Sequence, residues 1–143
     1  MKENVEEIVR NLVDKETKAW NEKDAESLVS LFHRDMVWPW PKDNKSHNPV
    51  NWIMSYGRYD RQKWTNNWNK LFDEYELVHN RRKIVKVVVT DELDGAFAVV
   101  DIDTCWRDKN GKEDIWKGRV CKVFTKVGDD WKIITHTGVL EYD

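Results

Sequence analysis

Few side chains in this sequence have the types and spacing that chemistry requires. Arg119, His136 and the pair Asp101 and Asp103 stand out, alongside nine tryptophans in 143 residues. A guanidinium inside a fold must be paired or must meet an anionic or carbonyl-bearing ligand. Histidine is the side chain whose proton moves near neutral pH. Tryptophan asks for an apolar wall for its ring and an acceptor for its indole N–H, so a cavity with an aromatic lining would use several. Other chemistry lacks its parts. His33, His47 and His79 have no spacing suited to a metal, and no cysteine or carboxylate cluster joins them. No phosphate-cradling glycine loop or nucleophile elbow occurs. The expectation is a site without metal, nucleotide or other cofactor.

Strand parity decides which of these residues look inward. Between Ala96 and Arg107 one face reads Ala98, Val100, Ile102, Thr104 and Trp106, and the other Val99, Asp101, Asp103, Cys105 and Arg107. The first is apolar and therefore inner. Asn110-Gly111 reads as a two-residue hairpin turn into a returning strand from about Glu113 to Lys126. That register sets Ile102 opposite Arg119 and Val100 opposite Cys121, so Arg119 points inward. There it meets either a helix carboxylate such as Glu16 or a ligand. A two-residue turn at Gly128-Asp129 brings His136 opposite Cys121 on the inner face, and a slip of one residue turns it out. Asp101 and Asp103 fall outside, as solvated or dimer-facing groups, unless a bulge turns one of them in.

The elements that must position these groups can be read in order. Val5, Ile8, Val9, Leu12, Val13, Ala19 and Trp20 recur at helical spacing, which predicts a helix over Glu3–Asn21. Asp24 caps a short second helix burying Ala25, Leu28, Leu31 and Phe32. Met36-Val37-Trp38 follows as a short strand that Pro39 and Pro41 stop. Residues 41–59 form a long irregular loop whose Trp52, Tyr56 and Tyr59 mark it as a lid or rim over a pocket. Asp60 caps a third helix to about Glu74, with Trp64, Trp68, Leu71, Phe72 and Tyr75 on its buried stripe. Four strands in hairpin succession complete the chain, the last from Trp131 to Tyr142. Three helices covering one face of a curved antiparallel sheet make an α+β fold, a single domain over 1–143 with a cone-shaped space beneath the helices.

The run from Ala19 to Phe32, followed by Asp35-Met36-Val37-Trp38, resembles the opening of nuclear transport factor 2-like proteins, and within them the SnoaL-like group. Gly57-Arg58 and the stretch from Gly128 to Ile134 fit the same pattern. The resemblance implies a cystatin-like cone and a pocket. Its members include ketosteroid isomerases, polyketide cyclases, dehydratases, epoxide hydrolases and proteins without catalysis, so the fold alone does not fix function. In the isomerase pattern a general-base carboxylate precedes a proline after the first short strand, where this chain has Trp40 before Pro41. The alternating histidines of many last strands match Thr135 and Thr137, with His136 one step off.

Composition narrows the classes further. The 24 basic and 26 acidic residues leave a formal charge of −2, which predicts no nucleic-acid or membrane partner. With a polar N-terminus and two cysteines five residues out of line across the hairpin, a reduced cytoplasmic protein is expected. The functional expectation is a pocket that holds or acts on a small apolar ring compound with a carbonyl or acid group. Trp38, Trp40, Trp52, Tyr56, Trp64, Trp68 and Trp106 would line it and Arg119 would fix the polar end. His136 or Asp103 would be the acid or base of a cofactor-free isomerisation, cyclisation or hydration. The alternative is a non-catalytic homodimer through the outer sheet face, where Val99, Cys105, Trp116 and Val120 form an apolar patch.

Overall fold

Helix α1 (Lys2–Asn21) buries Val5, Val9, Val13, Glu16, Ala19 and Trp20 along one stripe. It turns at Lys23, whose backbone takes the left-handed conformation. The Lys23 ammonium then donates to the carbonyls of Phe72 and Tyr75, tying this turn to the end of the third helix. Asp24 accepts from the Ser27 amide and opens α2 (Ala25–Ser30), as expected of an N-cap. Asp60 does the same for α3 (Arg61–Glu74) through the Lys63 amide. The structure is a computed structural model, and it describes every residue except 44, 47, 142 and 143. Readings on His47 and on Tyr142 lie outside the described residues.

The sheet runs β1-β7-β6-β5-β4, from β1 (Phe32–Val37), β7 (Asp130–Leu140), β6 (Glu113–Val127), β5 (Gly95–Asp108) and β4 (Tyr75–Val89). Only β1 pairs in parallel, against β7. Phe32 begins this strand instead of ending α2, and the strand closes at Val37, one residue before Trp38. Beyond it, β2 (Pro39–Trp40) and β3 (Ile53–Met54) make a small second sheet. Pro39 therefore does not end β structure, since it sits on a two-stranded edge where a missing N–H costs little, whereas β2 stops at Trp40, immediately before Pro41. The rim loop is thus partly ordered, with the Trp52 indole donating to the Ser46 carbonyl at 3.1 Å.

Bulges curve the large sheet around the helices. In β4 the register shifts between Leu77 and His79 and again between Ile84 and Lys86, leaving Val78 and Val85 exposed. The inner face of β4 then reads Tyr75, Leu77, Asn80, Arg82, Ile84, Val87 and Val89. On β5 the inner face is Ala96, Ala98, Val100, Ile102, Thr104 and Trp106, all buried, as expected from parity.

The β5–β6 register differs by one residue from expectation, and the cause is local. Asp108 accepts hydrogen bonds from the amides of both Asn110 and Lys112 at 2.9 Å. It pairs with Lys112 across a three-residue loop that ends at Gly111, whose φ is +84°. A turn closed by a left-handed glycine adds one residue to the hairpin relative to a two-residue turn. Asp101 therefore faces Arg119, and Val100 faces Val120. Every side chain of β6 changes face relative to the expected register. Arg119 and Cys121 are outside, whereas Trp116, Val120 and Lys122 are inside. This removes Trp116 and Val120 from the outer apolar patch. Both cysteines are free and on the outer face.

At Gly118 the neighbouring strand approaches so closely that a Cβ would stand 2.1 Å from the Val139 carbonyl oxygen. Gly118→Ala should therefore destabilise the fold by about 3 kcal/mol or more, within the range of severe single substitutions. Urea unfolding of the variant checks this, with the exposed Gly111→Ala expected to cost about 1 kcal/mol for its left-handed backbone alone.

Candidate functional site: an aromatic cavity over a buried ion cluster

Beneath α1, four inward side chains from four different elements meet in the core. Glu16 comes from α1, Arg82 from β4, Lys122 from β6 and His136 from β7. Lys122 Nζ lies 2.6 Å from Glu16 Oε1 with both side chains fully buried. Arg82 stands 3.7 Å from the same oxygen, its side chain 6% exposed. Arg82 is steadied from its other edge, where Nε donates to Asn80 Oδ1 at 2.7 Å and an Nη to Thr104 Oγ1 at 3.3 Å. Lys122 Nζ is 3.4 Å from either ring nitrogen of His136.

The electrostatics of this cluster are set by burial and mutual repulsion. Loss of hydration pulls the Lys122 ammonium down to about 8, against which the Glu16 carboxylate works, while Arg82 adds to the depression. Lys122 still carries its charge at neutral pH. Burial, then Lys122 and Arg82, push His136 well below its usual value, so the imidazole is neutral. One carboxylate thus faces two cations, and the cluster holds an excess positive charge.

A cavity of about 880 Å³ opens beside this cluster. Its walls are Trp20, Trp38, Trp40, Tyr56, Trp68 and Trp116, with Arg82 and His136 reaching it from the sheet. The rings pack edge to face, Trp20 against Trp68 at 4.8 Å and Tyr56 against Trp68 at 4.6 Å between centroids. The His136 ring lies on Trp38 at 4.1 Å with 33° between planes. Three donors on lining residues, Arg82 Nη1, Trp20 Nε1 and Trp68 Nε1, are buried without a hydrogen-bond partner among the described residues. Asp114 on the inner side of β6 lines the cavity beside Trp116, whose indole donates to it at 3.3 Å. Burial raises the Asp114 carboxyl above its usual range, opposed by that bond and by Lys112. Burial, with the Asp114 charge, pushes the Tyr56 phenol up to about 12.

The structure brings together some of the residues expected at a site and separates others. Trp38, Trp40, Tyr56, Trp68 and His136 all line the cavity. Trp64 and Trp106 are fully buried core residues that do not reach it, and Trp52 lies on the rim hairpin. Arg119 is corrected outright. Its side chain is 61% exposed and pairs with Asp101 at 2.7 Å on the outer face. Asp103 borders the cavity, yet its oxygens are taken by His79 Nε2 at 2.9 Å and Arg81 at 3.3 Å. The hydrogen bond with His79 above all, with the Arg81 charge beside it, holds its carboxyl below the usual range. His136 faces inward opposite Lys122 and not opposite Cys121, because a bulge between Val123 and Phe124 offsets the shifted hairpin.

Reading the sequence missed Arg82, Lys122, Trp20, Trp116 and Asp114. Arg82 sits in a polar run, Asn80 to Lys83, in which only the bulges reveal the inward residue. The remaining shift traces to Asp108, a turn-closing side chain that favours the longer hairpin. Among the described residues no cluster of histidine, cysteine and carboxylate groups could hold a metal. No helix of the described residues is long and apolar enough to cross a membrane.

Solved structures share this fold along nearly the whole chain. A ketosteroid isomerase-like protein from Erwinia carotovora atroseptica matches with a TM-score of 0.68 at 14% identity, covering 94% of each chain. An NTF2-like protein from Cytophaga hutchinsonii matches at 0.68 and 15% identity, over 95% of this chain and 98% of that one. A domain of unknown function with a cystatin-like fold from Nostoc punctiforme matches at 0.67 and 13%, over 96% and 78%. The fold is cystatin-like, of the nuclear transport factor 2-like kind. No protein-family model and no curated protein matches the sequence.

Glu16→Gln should leave Arg82 and Lys122 without a counter-charge and cost about 3–5 kcal/mol in urea unfolding. Lys122→Met takes away the nearest partner of the buried carboxylate but leaves Arg82 at 3.7 Å, so it should cost less than Glu16→Gln, about 1–3 kcal/mol. The two also separate by pH. The folded Lys122 releases its proton near 8, whereas the unfolded side chain holds it to its usual 10.5. Between those values the unfolded chain binds more protons, so stability should rise with pH in wild type relative to Lys122→Met.

Proposed function

We propose that the cavity is a small-molecule site for an apolar ring compound carrying a carboxylate or carbonyl group. One observation carries the reading: three unpartnered donors, Arg82 Nη1, Trp20 Nε1 and Trp68 Nε1, belong to residues lining one aromatic cavity. Buried donors without partners are costly, and each can be satisfied by acceptor oxygens of a ligand. The excess positive charge of the Glu16–Arg82–Lys122 cluster favours an anion over a neutral carbonyl. Arg82 therefore takes the part that parity had given to Arg119. The volume is of the size that small-molecule sites occupy, and aromatic walls facing charged groups suit a ring compound with polar substituents.

Chemistry on the bound compound would be a cofactor-free isomerisation, cyclisation or hydration. In that case His136, neutral and against the Trp38 ring, would be the group that accepts or returns a proton. Asp103, already held by His79 and Arg81, supports no such role.

A second reading is assembly into a homodimer through the outer sheet face. Phe97, Ile115 and Val139 are exposed there, at 38%, 43% and 61%. Sedimentation at micromolar to millimolar concentration decides it, a monomer throughout ruling the dimer out.

The pocket reading is tested by titrating naphthalene and biphenyl carboxylates while following tryptophan fluorescence and thermal stability. Binding should quench emission, and at 100 times the dissociation constant should stabilise the fold by about 2.7 kcal/mol. Arg82→Met should weaken binding by about ten-fold or more, the loss of a charged hydrogen bond. A set of acids that neither quenches nor stabilises would sink the reading.

A further inference from the structure

The cavity is not polar at one end alone. Arg82, Trp20 and Trp68, whose Nη1 and Nε1 atoms have no hydrogen-bond partner among the described residues, belong to its lining, and so do six carboxylates, Asp43, Asp103, Asp108, Glu113, Asp114 and Glu141, of which Asp114 comes from the start of β6. Asp114 has the same strand parity as Trp116, Val120 and Lys122, so the sheet directs it to the cavity side. The residue is reachable by water and yet stands beside the Trp116 and Tyr56 rings, and its one protein donor among the described residues is the Trp116 indole, on Oδ2 at 3.3 Å. Oδ1 accepts nothing from the described residues. Lys42, Lys112 and Lys117 also border the cavity, and none of the three lies within salt-bridge distance of Asp114.

Resting on the pocket reading, we propose that the ligand is bipolar: an aromatic compound with an acid group received by Arg82 and a hydroxyl or amino donor, set apart from it across the ring system, received by Asp114. A carboxylate accepts and cannot donate while ionised. The same charge repels a ligand that enters with its acid group towards Asp114, so the two ends fix both the class of ligand and its orientation. Seven Trp and Tyr side chains of the lining, Tyr75 among them, supply stacking surface for the ring system. The separation of acceptor and donor ends is thus a specificity device, of the kind in which a site built to bond a hydroxyl rejects the analogue lacking it.

The test uses matched pairs of probes that span different lengths. These are benzoate and 4-hydroxybenzoate, naphthalene-2-carboxylate and its 6-hydroxy derivative, and biphenyl-4-carboxylate and its 4′-hydroxy derivative. Affinity is read by tryptophan fluorescence and by calorimetry on the full chain. At least one hydroxy acid should bind about ten-fold more tightly than its parent, the worth of a charge-assisted hydrogen bond. Asp114→Ala should bring that hydroxy acid down to its parent, and Asp114→Asn, which keeps an acceptor oxygen without the charge, should fall between. Parent acids that bind, and lose affinity in Arg82→Met, with no hydroxyl advantage in any pair would overturn the donor subsite and leave the pocket reading standing. A hydroxyl advantage that survives Asp114→Ala would overturn it equally. Acids that do not bind at all remove the pocket reading, and this inference with it.

Discussion

The contact on which the rest depends is the one between Glu16 and Lys122, 2.6 Å apart and fully buried. It joins the first helix to the third strand of the hairpin series, across more than a hundred residues of chain. An unpaired carboxylate at that depth would be expelled from the core or protonated. With Lys122 against it and Arg82 behind, α1 is held over the concave face at the height where the carboxylate meets its cations. That height in turn sets where Trp20, four residues along the same helix, enters the ring cluster formed with Trp38, Trp68, Phe72, Trp106 and Trp116. Charge placement and aromatic packing are one constraint here.

The ring cluster explains why so many tryptophans can coexist without a hydrophobic collapse that fills the cone. Their rings meet edge to face, at interplanar angles of 82° to 88° around Trp20 for four of its five neighbours. Such contacts are favourable for the ring quadrupoles and leave faces free. Close edge-to-face packing restricts ring rotation, and a pre-formed site would lose little ordering energy on binding.

Much of this was legible in the sequence, and the failures have a single origin. Helix periods, caps at Asp24 and Asp60, the strand sequence and the inner face of β5 all follow from local patterns, and the structure has them. The resemblance to nuclear transport factor 2-like proteins pointed to the fold that the solved structures share. What went astray is register. Asp108, by bonding two amides of its own turn, selects the hairpin with one more residue, and β6 then exchanges its faces. An inward cation opposite Glu16 was correctly anticipated, but as Arg119 in place of Lys122. Arg82 was hidden by two bulges, which conserve hydrophobic pattern poorly and leave no residue-type signature in β4. His136 reached its expected side only because two shifts cancel. Local chemistry is written in residue types, whereas the pairing of distant strands is decided by single side chains in turns.

The composition of the cluster bears on why it exists. Replacing a buried ionic group by apolar side chains of equal volume is often neutral or stabilising. Stability alone therefore gives little reason to keep Glu16, Arg82, Lys122 and His136 at the centre of this core. Nor does the cluster balance itself. With His136 neutral, two cations share one carboxylate, and Arg82 Nη1 has no hydrogen bond among the described residues. A purely structural network would be expected to close on itself, each donor with an acceptor, because half-satisfied networks are worse than none. This one does not close: Arg82 Nη1 and Glu16 Oε2 both lack a hydrogen bond among the described residues, and Arg82 adjoins the cavity. An anion bound at the proposed site would offer Arg82 the acceptor it lacks.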